Sequence, residues 1–423
     1  MAERLVVFED AAAHRFAPLA HTRPVFELLC GLMSPRERCE RAFGAQAALV
    51  CRSHLAPLLA ATGGRTVNAP GGGNGPLLLL NGRLLDPEAV AELAAAASGP
   101  AAWWNGDELV AARLPAADAA GLFANLSGND FVLDPGMVAR LPRHVAPVEL
   151  ARNLWGLVLA NAAVIERDAA GLATPGGGRP PLPPGVHAIG DHLLLLAPGA
   201  EVEPGAVLDL RAGAIVIGPG ARVAGLTRLE GPAGIGARTQ ILGGRIRAGT
   251  TIGPGCRVAG EVEASIVQGN SNKYHDGFLG HAYVGEWVNL GALTTNSDLK
   301  NTYGTVKVWQ DGRLVDTGEQ KVGAMIGDHV KTGIGSLLDT GTVIGVAANI
   351  FGGSATLGTK FVPSFAWGTP PRLTLHDPMR ALETMQEVMR RRGATMTEAY
   401  REMLDAVFEL TRPEREFAGI QEL

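Results

Sequence analysis

The chain of 423 residues has only four cysteines, Cys30, Cys39, Cys51 and Cys256. None forms a CxxC pair or lies near histidine at metal-ligand spacing, so a disulfide framework and a cysteine metal site are both excluded, and inert thiols in a reducing compartment are expected. Charge of either sign is not concentrated: the formal net charge is −5, and no stretch gathers enough Lys and Arg to make a polyanion-binding face, which argues against nucleic acid as a partner. Long hydrophobic runs are missing too. No segment reaches the ~18 apolar residues of a membrane span, and charges interrupt the first ten residues where a secretion signal would need an apolar stretch. A cytoplasmic protein without a membrane partner is the expectation.

Glycine and proline are abundant, with 56 and 27 residues, but 46% hydrophobic content argues against disorder. In the C-terminal half the glycines follow a rhythm. Aliphatic or small residues recur six apart at Leu196, Val202 and Leu208, at Ile217, Val223, Leu229, Ile235 and Ile241, and at Ile246, Ile252, Val258 and Ala264. The phase returns at Val284, Leu290 and Asn296 and runs through Ile326, Thr332, Leu338, Ile344, Ile350 and Thr356. A period of six fits neither a helix nor an alternating strand. It suits a coil of short strands and tight corners, in which each sixth residue points inward and the small residue after it lets the backbone turn. One such coil cannot bury its apolar face alone, so many must stack, and the sequence supplies well over a dozen repeats.

The length favours several domains. Residues 1–168 read as α/β, with apolar strands at Leu5 to Phe8 and Leu77 to Leu80. Residues 169–185 read as a linker rich in Gly and Pro, 186–369 as the repeat domain, and 370–423 as a C-terminal helical segment. In the last segment Met379, Leu382, Met385 and Met389 share one stripe, which predicts packing across the prism or a neighbouring subunit.

Polar residues break the ladder between Ala264 and Ile326, which is where a scaffold carries function. Within that stretch His275 has the side chain suited to taking a proton near neutral pH; Lys273 and His281 flank it, and Asn289 and Asn296 are candidate orienting or oxyanion donors. Residues 301 to 320 insert a hairpin around Gln310-Asp-Gly. By itself, a loop histidine is more often a solvated surface residue.

The repeats resemble those of hexapeptide-repeat acyltransferases, which implies a left-handed parallel β-helix and a homotrimer with sites between neighbouring prisms. The run His275-Asp-Gly-Phe-Leu-Gly, followed by Val284-Gly-Glu-Trp-Val-Asn-Leu-Gly-Ala, resembles the acetyltransferase half of bifunctional bacterial GlmU enzymes. That resemblance puts His275 on the general base, Asn289 on an active-site asparagine, Ala292 on a backbone contact to acetyl-CoA, and Asn296 on a second asparagine after a two-residue gap. It puts Arg247 and Lys321 on phosphate-binding positions, with Lys273 beside them as a further substrate-phosphate candidate. The family Tyr is Phe278 here, a family Lys is replaced near Ser265, and an active-site Ser falls at Ile334. The chain more closely resembles a divergent GlmU-like group of sugar nucleotidyltransferases in which Asn-Lys-x-His-Asp-Gly-Phe-Leu-Gly and Asn-Ser-Asp-Leu-Lys-Asn recur.

Over the N-terminal part the same resemblance matches Arg15 and Pro18-Leu19 to Thr22-Arg23-Pro24 with the nucleotide-binding loop. The loop's glycines are alanines here, its Lys is Val25, and the strand-end Asp that would hold Mg²⁺ is Asn81, which weakens a phosphate cradle and a hard-cation site. The resemblance therefore implies acetyl-CoA-dependent N-acetylation of an amino-sugar phosphate, with no metal at that site. One alternative is a bifunctional enzyme that also joins a sugar 1-phosphate to UTP with Mg²⁺, using Arg15, Arg23 and Arg83. The other is a non-catalytic scaffold that binds sugar nucleotides.

Overall fold

The structure is a computed structural model that describes residues 3–69, 74–118, 138–174, 178–353 and 358–420. Six strands form the N-terminal sheet: β1 (Arg4–Phe8), β2 (Ala48–Val50), β3 (Leu77–Asn81), β4 (Ala101–Asn105), β5 (Glu108–Leu114) and β6 (Arg143–Val145). Their order is β2-β1-β3-β5-β4-β6, with β1 parallel to β2 and β3 and with β5 antiparallel to β3 and β4. The expected strands at Leu5 and Leu77 are present, each one residue longer. Their unbroken apolar runs follow from burial on both faces.

Helices α1 (Pro35–Phe43), α2 (Ala56–Gly63) and α3 (Pro87–Ala96) accompany the sheet, while α4 (Leu154–Leu172) packs against the second half of the chain. Ser34 and Glu37 make a capping box that starts α1, and Gly44, in the left-handed conformation, ends it. Helix α4 runs three residues past Ala169, the start of the expected linker. Its buried Asp168 pairs with Arg38 through two 2.8 Å bonds.

The second half is a parallel β-solenoid with three faces. Face A runs from His187–Ile189 to Phe278–Gly280 in six strands; face B runs from Leu194–Leu196 to Phe361–Val362 in nine. Face C has ten strands from Glu201–Val202 onward, the last of which, Arg372–Leu375, turns back antiparallel. Inward residues such as Leu208, Leu229, Ile246, Val262, Val267, Leu279 and Val284 are buried in one continuous core.

The ladder departs from the expected phase at two points. Ala264 is not a rung: it sits at a corner with φ of +43°, and the inward positions there are Val262 and Val267. The coil shortens there, so counting in sixes overshoots. Residues 270–280 also do not break the solenoid. They form a regular coil in which Lys273 stands in register with Val258 as the inward residue. The interruption comes only after Asn296, where the antiparallel hairpin Lys307–Gln310 and Arg313–Asp316 projects as expected. Thr356 lies outside the described residues.

The N-terminal domain lies on face B. The outward residues Ile266, Tyr283, Met325 and Val343 pack into one cluster with Phe16, Leu28, Leu154 and Trp155. The Tyr283 hydroxyl donates to the Leu29 carbonyl at 2.7 Å. Helices α5 (Pro378–Arg390), α6 (Glu398–Leu410) and α7 (Arg412–Phe417) close the remaining angle. Leu382, Met385, Met403, Leu404 and Val407 join Leu55 of the first domain and Val346 and Phe365 of the solenoid in one core. Met379, expected on that stripe, is 59% exposed, and Ala381 takes its place in the contact. Face A keeps an outward row of Arg228, Arg245, Glu261 and Phe278, and this face carries the candidate site.

Candidate functional site

Strand Asn272–Lys273 on face C, the corner at residues 274–277 and strand Phe278–Gly280 on face A set the position of His275. The imidazole is exposed and meets the Tyr274 ring edge-on, with 5.2 Å between centroids. Lys273 was expected at a phosphate, but its side chain runs into the prism. Its Nζ donates to the carbonyls of Ala259 at 2.7 Å and His275 at 3.3 Å. Burial pushes the Lys273 ammonium down to about 8. Lys273 therefore holds the corner on which His275 is mounted.

One coil further on, Asn289 is exposed on face C. Its Oδ1 accepts from Asn272 Nδ2 at 3.3 Å, and Asn272 Oδ1 accepts from Arg392 Nη2 at 2.6 Å. Ala292 follows at the next corner, where its carbonyl accepts from the Gly335 N–H at 2.8 Å and the adjacent Leu293 N–H donates to Asp276 at 2.9 Å. His275 and Ala292 thus share one edge of the solenoid, between faces C and A.

The opposite edge of face A, toward face B, gathers Arg247, Glu263, His281, Asp298 and Lys321. Arg247 pairs with Glu263, and Lys321 Nζ lies 3.6 Å from the same carboxylate. Two of the three expected phosphate ligands therefore converge on one carboxylate, and they remain 41% and 46% exposed. His281 Nδ1 bonds Asp298 Oδ2 at 2.7 Å, with each side chain 13% exposed. Although burial opposes it, the bond from His281 and the charge of Lys321 hold the Asp298 carboxyl below the usual range. Asn296 is buried, and its amide both accepts from the Gly280 N–H and donates to the Gly280 carbonyl, each at 2.9 Å. It locks the strand between the two edges.

Within one chain the structure brings Arg247 and Lys321 to one edge and His275 and Ala292 to the other, with Asn296 on the strand between them and Asn289 on face C. The His281–Asp298 pair was not legible as a unit. The signal that could have found it is separation: residues 17 apart, as these are, meet when one coil has about that length, as Asn272 and Asn289 also do.

Of the N-terminal candidates, Arg23 is buried, with Nη1 3.0 Å from Asp328 and Nη2 3.3 Å from Glu286. Arg83 is buried too, bonded to Asp10, to Glu108 at 2.9 Å and to the Ala151 carbonyl at 2.8 Å. Both guanidinium groups are committed to the fold. Arg15 is exposed. Asn81 ends β3 as expected, but its Nδ2 donates to Asp10 at 2.9 Å. Asp10 is also paired with Arg83, and among the described residues no group of three His, Cys, Asp or Glu is placed to hold a metal. These residues do not fit a Mg²⁺ site. A cavity of about 760 Å³ opens beside Asp10, His14, His21, Arg52 and His54, with Glu409 of α6 at its rim.

Residues 5–175 match a family described as sugar nucleotidyl transferase. A bifunctional sugar-1-phosphate nucleotidylyltransferase/acetyltransferase of Sulfurisphaera tokodaii is 36% identical over 94 residues, 22% of this chain and 23% of the relative. A bifunctional protein GlmU of a Synechococcus species is 33% identical over 135 residues, 30% of this chain and 25% of that protein. The chain thus spans about a quarter of the length of these relatives. A solved Arabidopsis UDP-N-acetylglucosamine acyltransferase aligns with 55% of this chain and 82% of its own at 12% identity and a TM-score of 0.22, too low to carry an argument. The chain is similar to GlmU-type proteins.

Proposed function

We propose that the chain transfers an acetyl group from acetyl-CoA to the amine of an amino-sugar phosphate such as glucosamine 1-phosphate, for cell-envelope sugar-nucleotide synthesis. One observation carries this reading: face A is flanked by a proton acceptor, His275, at one edge and by two cations, Arg247 and Lys321, converging on one point at the other. A phosphate displacing Glu263 from the two cations would be held by charge-assisted bonds, which fixes the acceptor in register for attack. The amine nitrogen attacks the thioester carbonyl, His275 accepts its proton, and the C–S bond breaks to release CoA. Asn289 stabilises the oxyanion, Asn296 keeps the strand between the edges in place, and Lys273 fixes the His275 corner. In a cytoplasmic homotrimer, the His275 edge of one copy would meet the Arg247 edge of the next, with acetyl-CoA lying along Ala292. The test is release of CoA thiol from acetyl-CoA and glucosamine 1-phosphate; an unchanged rate in His275→Ala sinks the reading.

The match of residues 5–175 to the sugar nucleotidyl transferase family favours a second reading, in which the protein also couples UTP to a sugar 1-phosphate. Pyrophosphate release with UTP and Mg²⁺, abolished in Arg15→Ala, would support it. The burial of Arg23 and Arg83 in ion pairs favours the contrary reading, a first domain that binds sugar nucleotides without turnover. Calorimetric binding of UDP-N-acetylglucosamine without pyrophosphate release would support that one.

A further inference from the structure

We infer that His281, oriented by Asp298, is a second proton acceptor for the transfer, serving an amine held at the Arg247–Lys321 edge of face A. The inference rests on the acetyl-transfer reading above and adds to it a group that the sequence offered only as a neighbour of His275.

Three observations carry it. First, His281 has an orienting carboxylate, and among the described residues His275 has none. The 2.7 Å bond from Nδ1 to Asp298 fixes both the ring and its tautomer: with the Nδ1 proton directed at the carboxylate, the lone pair is left on Nε2. Nε2 has no hydrogen-bond partner among the described residues, and the side chain keeps 13% of its surface exposed.

Second, the backbone holds this geometry. His281 adopts a left-handed φ of +48°, its N–H donates to the Glu263 carbonyl at 3.0 Å, and its carbonyl accepts from the Gly323 N–H at 2.9 Å. The left-handed φ is the conformation of the corner itself, shared with Ala264 at +43° one coil before, so the ring is mounted on a regular turn of the solenoid. Asp298 is fixed from the other side, where its carbonyl accepts from the Val322 N–H at 2.9 Å, next to Lys321.

Third, position matters. Arg247 and Lys321 meet at Glu263, the residue whose carbonyl binds His281, while His275 lies at the far end of strand Phe278–Gly280. An acceptor with its phosphate on those cations and its amine on the adjacent carbon presents that amine to His281 of the same chain.

The step balances as follows. The acceptor's ammonium form gives one proton to His281 Nε2; the freed amine nitrogen bonds to the thioester carbonyl carbon, passes its next proton to His275, and the C–S bond breaks with its electron pair leaving on the CoA sulfur. The imidazolium, stabilised by Asp298, returns the proton to the thiolate or to water.

The experiment measures CoA thiol release from acetyl-CoA and glucosamine 1-phosphate by the full-length protein. His281→Asn tolerates the left-handed backbone and keeps a donor toward Asp298, but it cannot accept the proton. It is expected to lose ~100-fold or more in kcat with KM within about twofold. His281→Gly is expected to recover part of that loss with added imidazole, and Asp298→Asn to lose at least ~10-fold in kcat. Far-UV spectra and melting curves establish that each variant is folded. A folded His281→Asn that keeps kcat within about twofold of wild type overturns the inference, as does a His281→Gly that imidazole does not rescue. If His275→Ala is inactive while His281→Asn is active, the inference fails and the acetyl-transfer reading stands. If the wild type releases no CoA, both fall.

Discussion

Arg23 in the N-terminal domain and Asp328 in the solenoid form a bidentate ion pair buried between the two halves of the chain, with Nη1–Oδ1 at 3.0 Å and Nη2–Oδ2 at 2.5 Å. The Thr22 hydroxyl adds a 2.7 Å bond to the same carboxylate, and the carboxylate also accepts from the Glu286 N–H at 2.8 Å. Asp328 is fully buried and Arg23 nearly so, so the pair joins two rigid bodies through charge that neither half can solvate by itself.

Removing one member leaves the other buried without its partner. Asp328→Asn is expected to lower the unfolding free energy by about 3 kcal/mol, with Glu286 retaining part of the hold on Arg23. Urea denaturation together with limited proteolysis checks this, with new cleavage expected where the N-terminal domain meets face B. An unchanged midpoint would show that the apolar contacts of Tyr283 and Met325 suffice.

Lys273 gives a signature in alkaline solution. Its pKa lies near 8 in the fold and near the ordinary 10.5 when unfolded, so between those values the unfolded chain binds more protons and stability rises with pH. The cost of burying the charge is full below pH 8 and absent above 10.5. Lys273→Met should abolish the rise, up to about 3 kcal/mol, that the wild type shows between pH 8 and 10.5. Thermal melts of both proteins across that range decide it.

His329 acts with the same sign in the acid range. Burial pushes its imidazole down to about 3, while its Nε2 contacts the Tyr400 hydroxyl at 2.8 Å, tying helix α6 to the solenoid. Below the ordinary value of 6.5 the unfolded chain takes up a proton that the fold refuses, so stability falls with falling pH and recovers above 6.5. Between pH 6.5 and 5 the loss is expected to be about 2 kcal/mol. His54, pushed down to about 4 by burial, adds a loss of the same sign. His329→Asn should flatten part of this acid slope in urea titrations; an identical slope would rule out His329 as its source.

Asn296 separates architecture from chemistry. Asn296→Ala leaves the Gly280 N–H and carbonyl unpaired in the interior, which costs about 1–3 kcal/mol for each group left unsatisfied. The melting temperature is expected to fall clearly, with any loss of CoA release following the loss of folded protein. A variant as stable as wild type but inactive would instead place the amide among the groups that touch substrate.

The solenoid was legible because its signal is local. Each rung needs an aliphatic residue and each corner a small one, so the pattern repeats in the text at the interval at which the coil repeats in space. The same was true of β1 and β3, apolar end to end. The C-terminal helices were equally plain, although Met379 shows that a stripe read from spacing can run one residue past the real contact.

What the sequence by itself determined is therefore the repeat, the N-terminal strands, the hairpin around Gln310 and the polar segment near His275. Only the tertiary structure decided which of those polar residues meet. A coil that shortens between Val258 and Val267 changes which side chains stack, so the partnership of His281 with Asp298 and the placing of Lys273 inside the ladder depend on the exact length of every preceding turn. The burial of Arg23 and Arg83 depends on how the domain lies against face B and on how its own strand ends close. Periodicity is a property of neighbours along the chain, whereas these contacts join residues a full coil or a whole domain apart, and packing selects them among many pairings that the sequence leaves equally open.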